Sequence, residues 1–250
     1  MTNKVLITGA NKGIGFESAR QLGHKGWYIL LGARNEERGL AAVQQLKNEG
    51  IANVEWVQID LNDLASITNA AAYIRENHSD LNALINNAGI SGDMHKRPLD
   101  FTLDELKAVT EVNVYGNFSM IKAFTPILSK NQGKILHVTL PGIGAGSFRP
   151  FAYMASKASL NSMIRNFGYD FKKNQISVDI FGVMPGGIQT DLNDHMTGWM
   201  MRTLPEGTKS IVDVLTDGKS HQGKILSRSG MAGSLTKHLL KQVNIFSKNK

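Results

Sequence analysis

Short apolar runs alternate along the chain with longer stretches of helical periodicity, and this alternation restricts the fold more than any other feature. The apolar runs lie at residues 5–7, 28–31, 54–58, 83–85, 134–138, 178–181 and, more weakly, 224–226. Between them the periodicity predicts helices at 13–25, 35–48, 63–77, 103–128, 152–172 and 206–215, the fourth of them broken or bent near Pro126. Repeated strand–helix units are typical of a parallel sheet with helices on both faces. We therefore expect an α/β fold with a single doubly wound parallel sheet of the Rossmann type.

The composition fits one domain without sulfur chemistry. The chain has 250 residues, of which 42% are hydrophobic, and this is enough apolar material for one sizeable core. Residues 1–250 are predicted to form a single domain, because no repeat or polar linker divides them. The lack of cysteine excludes disulfide scaffolds, thiolate zinc sites, iron–sulfur clusters and cysteine nucleophiles. No metal site is predicted, and any redox chemistry has to come from a bound cofactor.

Neither the N-terminal sequence nor the charge distribution points to a membrane or nucleic-acid partner. No export signal is predicted at residues 1–8, and no apolar run approaches the roughly 18 residues of a membrane span. The expected location is the cytoplasm. The net charge of +7 comes mostly from residues 201–250, which hold nine basic and three acidic side chains. These charges are dispersed, which favours a solvated surface over a nucleic-acid footprint.

A glycine-rich turn follows the first predicted strand. Its glycines stand at 9, 13 and 15, and the residues between them include Asn11, Lys12 and Ile14. Glycine permits a tight turn and close backbone approach, while the N-terminus of the next helix offers free N–H groups to a pyrophosphate. The spacing G-x3-G-x-G differs from the common GxGxxG fingerprint, and such a turn can also be purely structural.

Six motifs in order resemble the short-chain dehydrogenase/reductase family, particularly its carbonyl-reductase-like members. They are the glycine turn at 8–15, Asp60-Leu61, Asn86-Asn87-Ala88-Gly89, Asn113, Tyr153 with Lys157, and Pro185-Gly186-Gly187-Ile188-Gln189-Thr190. The resemblance covers residues 8 to about 190. It implies a nicotinamide cofactor held along the carboxyl ends of the strands.

The resemblance assigns further residues to that cofactor. Asp60 would accept the adenine amino group, although it could equally cap the helix predicted at 63, and Leu61 belongs to the same motif. The small residues Asn87, Ala88 and Gly89 let backbone pass close to a flat ligand. Contacts to the nicotinamide carboxamide and the pyrophosphate are implied for Pro185, Gly186, Ile188 and Thr190.

The end of the second predicted strand favours NADP(H) over NAD(H). A carboxylate there would bind a free ribose 2′-hydroxyl, whereas an arginine would bind a 2′-phosphate. This chain has Arg34 at that point, and Lys12 in the glycine turn could add a second positive charge. Glu36 and Glu37 come slightly later, where they suit the start of a helix. Arg34 could alternatively form a surface salt bridge.

The proposed catalytic pair stands on one face of a predicted helix. Tyr153 and Lys157 are four residues apart, so both side chains can share a ligand. A nearby ammonium and a positive nicotinamide ring would lower the tyrosine pKa from about 10 towards neutrality. The resemblance makes Tyr153 the proton donor to a carbonyl oxygen, Lys157 its assistant and a binder of the nicotinamide ribose, and Asn113 the holder of a relay water.

One catalytic position breaks the pattern. The family has a serine thirteen residues before the tyrosine, and here that residue is Leu140. Thr139 could replace it after a local bulge, or Ser147 could fold back from a glycine-rich loop. Losing one positioned donor typically costs about 10²–10³ in rate, so slow turnover would survive without a substitute. His137 stands where the family usually has asparagine, and we interpret it as a core residue because no triad partner accompanies it.

Two functions follow from these patterns. The first is an NADPH-dependent oxidoreductase that reduces an aldehyde or ketone, or oxidises the matching alcohol. The alternative is a non-catalytic NADP(H)-binding sensor or scaffold, because Leu140 stands where the family has its catalytic serine. A methionine-rich segment at about 191–215 is predicted to be a substrate lid, although it could also pack into the core. The resemblance also implies a homodimer or homotetramer built on the helices at 103–128 and 152–172.

Overall fold

The computed structural model describes residues 2–140, 150–190, 192 and 201–227. Within these residues the chain forms seven strands, listed here in chain order: β1 Lys4–Thr8, β2 Tyr28–Ala33, β3 Val54–Gln58, β4 Ala83–Asn86, β5 Lys134–Val138, β6 Asp179–Met184 and β7 Ile225–Ser227. They form one parallel sheet in the order β3-β2-β1-β4-β5-β6-β7. The predicted doubly wound sheet is confirmed.

Helices cover both faces of this sheet. They are α1 Gly13–His24, α2 Glu36–Asn48, α3 Leu64–Asn77, α4 Leu103–Thr110, α5 Asn117–Lys130, α6 Phe151–Lys173 and α7 Leu204–Thr216. Side chains along β1 alternate between two cores, since Val5 and Ile7 belong to one and Leu6 to the other. The first core contains the apolar faces of α1, α2 and α7, and the second contains those of α3, α5 and α6.

The strand order reverses beside β1, which determines where a ligand can bind. Connections from β1 run outward to β2 and β3 on one side, and β4 lies on the other side of β1. Helices that follow β1 and β4 therefore diverge and leave a crevice at the carboxyl ends of these two strands. No described helix is both long and apolar enough to cross a membrane.

The long helix predicted at 103–128 is interrupted at a different place from the one expected. The chain does not break near Pro126, since α5 continues through that exposed residue, whose missing N–H leaves only solvent-side backbone to be satisfied. Instead, one π-helical segment at Glu111–Gly116 separates α4 from α5. Gly116 lies against the backbone of Leu61, where an added Cβ would stand 2.6 Å from the carbonyl oxygen. The Asn117 amide donates to the Asn113 carbonyl at 3.0 Å and fills the widened turn.

The part of the predicted lid that the structure describes is also different from expectation. Residues 204–215 form most of α7, which starts with a reciprocal cap between Thr203 and Glu206. Its apolar face is buried in the first core, with Ile211 and Val212 fully enclosed. Residues 204–215 therefore pack into the core, the alternative to a lid that the sequence left open. Residues 191 and 193–200, the loop that carries Ser147, and the basic residues from 228 onward lie outside the described residues.

Candidate active site

The glycine turn and the fourth strand are joined by hydrogen bonds at the crevice. Thr8 Oγ1 accepts from the backbone N–H groups of Asn87 and Ala88, both at 3.0 Å. The Asn87 amide in turn donates to the carbonyls of Thr8 at 3.0 Å and Gly9 at 3.2 Å. These four bonds satisfy backbone groups that strand pairing leaves open at the ends of β1 and β4. They fix the relative position of the two strand ends.

The turn requires glycine for two different reasons. Gly9 and Gly13 have φ values of +64° and +58°, a region that side-chain-bearing residues avoid. Gly15 instead needs space, because a Cβ there would stand 2.5 Å from the Gly9 carbonyl oxygen and 2.6 Å from the Asn87 amide.

The open side of the turn fits a pyrophosphate. Nothing lies within 4 Å of a Cβ added at Gly13, so a ligand can approach the backbone there. The N-cap residue of α1, Lys12, makes no side-chain capping bond, and its neighbours Asn11 and Ile14 are partly buried. The first N–H groups of α1 therefore remain for an anion.

The end of the crevice beside β2 and β3 carries a separate cation and carboxylate. Arg34 is exposed directly after β2 and forms no salt bridge with any described residue, so the surface-salt-bridge alternative finds no support there. Glu36 and Glu37 lie in the first turn of α2, as predicted. The capping alternative for Asp60 is wrong, because the α3 cap is Asp63, which accepts from Ala65 N at 2.8 Å.

The Asp60 carboxylate accepts one backbone N–H, that of Asn62, at 3.0 Å. Asp60 is partly exposed, whereas the next residue of the motif, Leu61, is buried beneath the π-helical segment. The Asp60 carboxylate is therefore the accessible polar group of this motif.

Tyr153 and Lys157 lie buried near the amino end of α6. Lys157 Nζ donates to the backbone carbonyl of Val138 at 2.9 Å and stands 5.4 Å from the centre of the Tyr153 ring. Burial lowers the pKa of Lys157 to about 8 and raises the pKa of Tyr153 well above its usual range. Desolvation of the buried phenol is the cause of the raised Tyr153 pKa in the chain without a cofactor, whereas the lowering expected from the sequence includes the charge of a bound nicotinamide. The chain alone therefore holds a protonated phenol at neutral pH.

Asn113 joins three parts of the site. It is fully buried in the π-helical segment, and its Oδ1 accepts from Ile90 N at 2.9 Å. Its Nδ2 donates to the Ile90 carbonyl at 2.8 Å and to Ser156 Oγ at 3.0 Å. A Cβ added at Gly89 would stand 3.0 Å from Asn113 Oδ1 and 3.9 Å from Lys157 Nζ. Gly89, Asn113 and Lys157 therefore converge at one place.

The residues after β5 are held by a side chain that the sequence reasoning missed. Thr139 is buried, and its hydroxyl donates to Asn161 Oδ1 at 2.8 Å. Asn161 Nδ2 donates to the Leu140 carbonyl, also at 2.8 Å. Asn161 follows Lys157 by one helical turn, so its spacing from Tyr153 and Lys157 was the available signal. Thr139 would have to leave Asn161 before it could donate to a substrate.

His137 is confirmed as a core residue. It is fully buried opposite Asn86 in the β4–β5 register, with His137 Nε2 and Asn86 Nδ2 separated by 3.5 Å. Burial and the charge of Lys157 lower its pKa to about 3, so the ring is neutral. Among the described residues, His137 Nδ1 and Asn86 Oδ1 have no hydrogen-bond partner.

The segment after β6 reaches the crevice from the other side. Gly186 has a φ of +90°, which bends the chain, and Ile188 is buried against Gly207 of α7. Pro185 is also buried, and Thr190 is partly exposed. Arg202, a second residue that sequence reasoning missed, donates its backbone N–H to the Gly187 carbonyl at 2.9 Å.

These features are typical of dinucleotide-binding α/β proteins: a parallel sheet with a crevice where the strand order reverses, and a glycine turn with open space above it at the N-terminus of a helix. Residues 3–200 match the family described as short chain dehydrogenase. The chain is 32% identical over 241 residues to the short-chain dehydrogenase anuI of Penicillium roqueforti, which covers 89% of this chain and 92% of that protein. The chain belongs to the short-chain dehydrogenase/reductase family of oxidoreductases.

Carbonyl reductases are among its relatives. It is 37% identical over 142 residues to carbonyl reductase [NADPH] 3 of Mus musculus, which covers 56% of this chain and 50% of the mouse protein. The NADPH-bound carbonyl reductase from chicken fatty liver has a similar structure, with a TM-score of 0.79 and 25% identity, covering 90% of this chain and 96% of that one.

Proposed function

We propose that this protein is an NADPH-dependent oxidoreductase that reduces an aldehyde or ketone to an alcohol, or catalyses the reverse reaction. The observation that carries the proposal is the buried Tyr153–Lys157 pair beside Gly89 and Asn113, at the carboxyl ends of the strands. A phenol and an ammonium at that place can deliver a proton and stabilise the charge that its loss creates. The relatives named for NADPH and carbonyl reduction support the same cofactor and substrate class.

The residues of the crevice can hold NADP(H) along its whole length. We assign the pyrophosphate to the turn, the 2′-phosphate to Arg34 with Lys12, and the adenine to Asp60 with Leu61. The remaining contacts are assigned to Gly9, Asn11, Gly13, Ile14, Gly15, Asn87, Ala88, Gly89, Tyr153, Lys157, Pro185, Gly186, Ile188 and Thr190. When bound in its reduced form, the nicotinamide supplies a hydride to the carbonyl carbon.

The proton comes from the chain. In the proposed reaction Tyr153 donates its phenolic proton to the carbonyl oxygen, and Lys157 stabilises the resulting phenolate. Asn113 fixes the loop after β4 against α6, so the two residues keep their spacing. Thr139 is the proposed substitute for the missing serine, and it would exchange its bond to Asn161 for one to the substrate oxygen.

A non-catalytic NADP(H) sensor or scaffold remains the second candidate. It is favoured by Leu140, whose side chain has no hydrogen-bond donor, and by the Thr139 hydroxyl, which already donates its proton to Asn161 Oδ1. The sensor would use the same cofactor crevice without turnover. Activity therefore has to be measured separately from binding.

The test combines a binding titration with an activity screen. Fluorescence titration should give tighter binding for NADPH than for NADH, and NADPH consumption should appear with at least one member of a panel of aldehydes and ketones. Tyr153→Phe should retain NADPH binding and lose about 10²–10⁴ in rate, the usual contribution of general acid catalysis. Tight binding without turnover across the panel would favour the sensor. No binding of NADPH would contradict both functions.

Assembly and location complete the proposal. We propose a homodimer or homotetramer, because aromatic side chains on and beside α5 and α6 are exposed: Tyr115 at 57%, Phe118 at 42% and Tyr169 at 70%. The cytoplasmic location expected from the sequence is proposed with it. Light scattering of the purified protein distinguishes these assemblies from a monomer. Mass independent of concentration at the monomer value would contradict the assembly.

A further inference from the structure

The start of α7 contacts both halves of the cofactor crevice. On one side, Gln21 of α1 donates to the Pro205 carbonyl at 3.0 Å and to Glu17 Oε1 at 2.7 Å. On the other side, Gly207 packs directly against the Ile188 side chain, which would have to shift to admit a Cβ there. The first turn of α7 therefore links the helix that begins at the glycine turn to the segment that follows β6.

Arg202 makes three hydrogen bonds on the β6 side and at the start of α7. Its backbone N–H donates to the Gly187 carbonyl at 2.9 Å and forms an isolated parallel bridge between Ile188 and Arg202. Its guanidinium donates through Nη1 to the Pro185 carbonyl at 3.3 Å and through Nη2 to the Glu206 carbonyl at 2.8 Å. Arg202 thus binds the carbonyls of Pro185 and Gly187 and links them to the first turn of α7.

The segment needs such support because its own sequence constrains it weakly. It contains two consecutive glycines, of which Gly186 has a φ of +90°. Glycine has more accessible backbone conformations than other residues, so an unsupported Pro-Gly-Gly segment would lose much entropy on ordering around a ligand. The hydrogen bonds of Arg202 hold residues 185–187 in one conformation in the folded protein without a ligand.

We propose that Arg202 is a positioning residue that fixes residues 185–188, the nicotinamide side of the crevice, before the cofactor binds. The inference rests on the proposed cofactor site but assigns Arg202 no contact with cofactor or substrate. A planar guanidinium reaches two carbonyls at once, whereas a lysine ammonium on its flexible stem does not hold both in fixed geometry. Arg202→Lys should therefore behave more like Arg202→Ala than like the wild type.

Two ligands separate positioning from charge attraction. NADPH spans the whole crevice, whereas 2′,5′-ADP occupies its adenine side alone. Isothermal titration of Arg202→Ala and Arg202→Lys should show NADPH binding weakened by about tenfold, the effect of losing one or two charge-assisted hydrogen bonds, with 2′,5′-ADP binding unchanged. The matched control is Lys209→Ala, which removes an exposed cation of the adjacent helix α7 that pairs with Asp213.

Hydrogen exchange of the unliganded protein gives a readout independent of binding and activity. Peptides covering residues 185–190 should exchange about tenfold faster in Arg202→Ala than in the wild type or Lys209→Ala, while peptides from β1 and β4 should not change. Unchanged exchange and unchanged NADPH affinity would overturn the inference, as would an equal loss of NADPH and 2′,5′-ADP affinity. If the wild type does not bind NADPH, the proposed function fails, and faster exchange at 185–190 would still support the positioning role.

Discussion

Replacing Lys157 by methionine should change how the stability of the protein depends on pH. Lys157 is 4% exposed, and burial lowers its pKa to about 8 from an ordinary value of 10.5. The unfolded chain therefore binds more protons than the folded protein between pH 8 and 10.5, and wild-type stability rises with pH across that window. Methionine has a similar volume and no charge, so Lys157→Met loses this dependence.

The magnitude follows from the two pKa values. Each pKa unit corresponds to about 1.4 kcal/mol, and integration of the linkage relation from pH 7 to 9.5 gives about 2 kcal/mol. We expect the free energy of unfolding of the wild type to rise by about this amount relative to Lys157→Met. Below pH 7 the difference should be constant, because Lys157 is then charged in both folded and unfolded states.

Urea denaturation at half-unit intervals from pH 6 to 9.5, without cofactor, measures this difference directly. Comparison of the two proteins cancels the groups that titrate identically in both. The upper limit avoids ionisation of Tyr153 in the unfolded state near pH 10. Parallel stability curves over the whole range would refute the reasoning, because they would show that Lys157 keeps its ordinary pKa in the folded protein.

Three further substitutions test separate parts of the site. Arg34→Ala should weaken NADPH binding by about 10- to 100-fold, because a charge-assisted contact is lost, and should leave NADH binding unchanged. The control Arg38→Ala removes an exposed cation nearby and should change the affinity for neither cofactor in the same titration. Gly15→Ala should lower the free energy of unfolding by about 1–3 kcal/mol, because its Cβ meets the backbone of Gly9 at 2.5 Å, and an unchanged urea midpoint would contradict this packing. Thr139→Ala should lower kcat/KM by about 10²-fold if Thr139 replaces the missing serine, with Thr139→Ser retaining most activity; unchanged kinetics in the alanine variant would reject that role.

The sequence predicted the parts of this protein that depend on local pattern. Strand positions follow from short apolar runs, and the crevice follows from the glycine turn and the motif at Asn87. The position of the helix interruption was wrong, because the π-helical segment depends on contact between Gly116 and Leu61, which are distant in sequence. Asn161 and Arg202 were missed for a similar reason, since several of their partners are backbone carbonyls that only the folded chain brings close.

The pKa shifts of the proposed catalytic pair, Tyr153 and Lys157, show what sequence spacing leaves undetermined. Spacing places Tyr153 and Lys157 on one helix face, but it does not give their burial, and burial moves both groups towards their neutral forms. A neutral phenol is the form that donates a proton to a carbonyl oxygen, whereas alcohol oxidation needs a phenolate to accept one. Without a bound ligand, burial therefore keeps Tyr153 in its proton-donating form at neutral pH. The positive charge of an oxidised nicotinamide would stabilise the phenolate that alcohol oxidation requires.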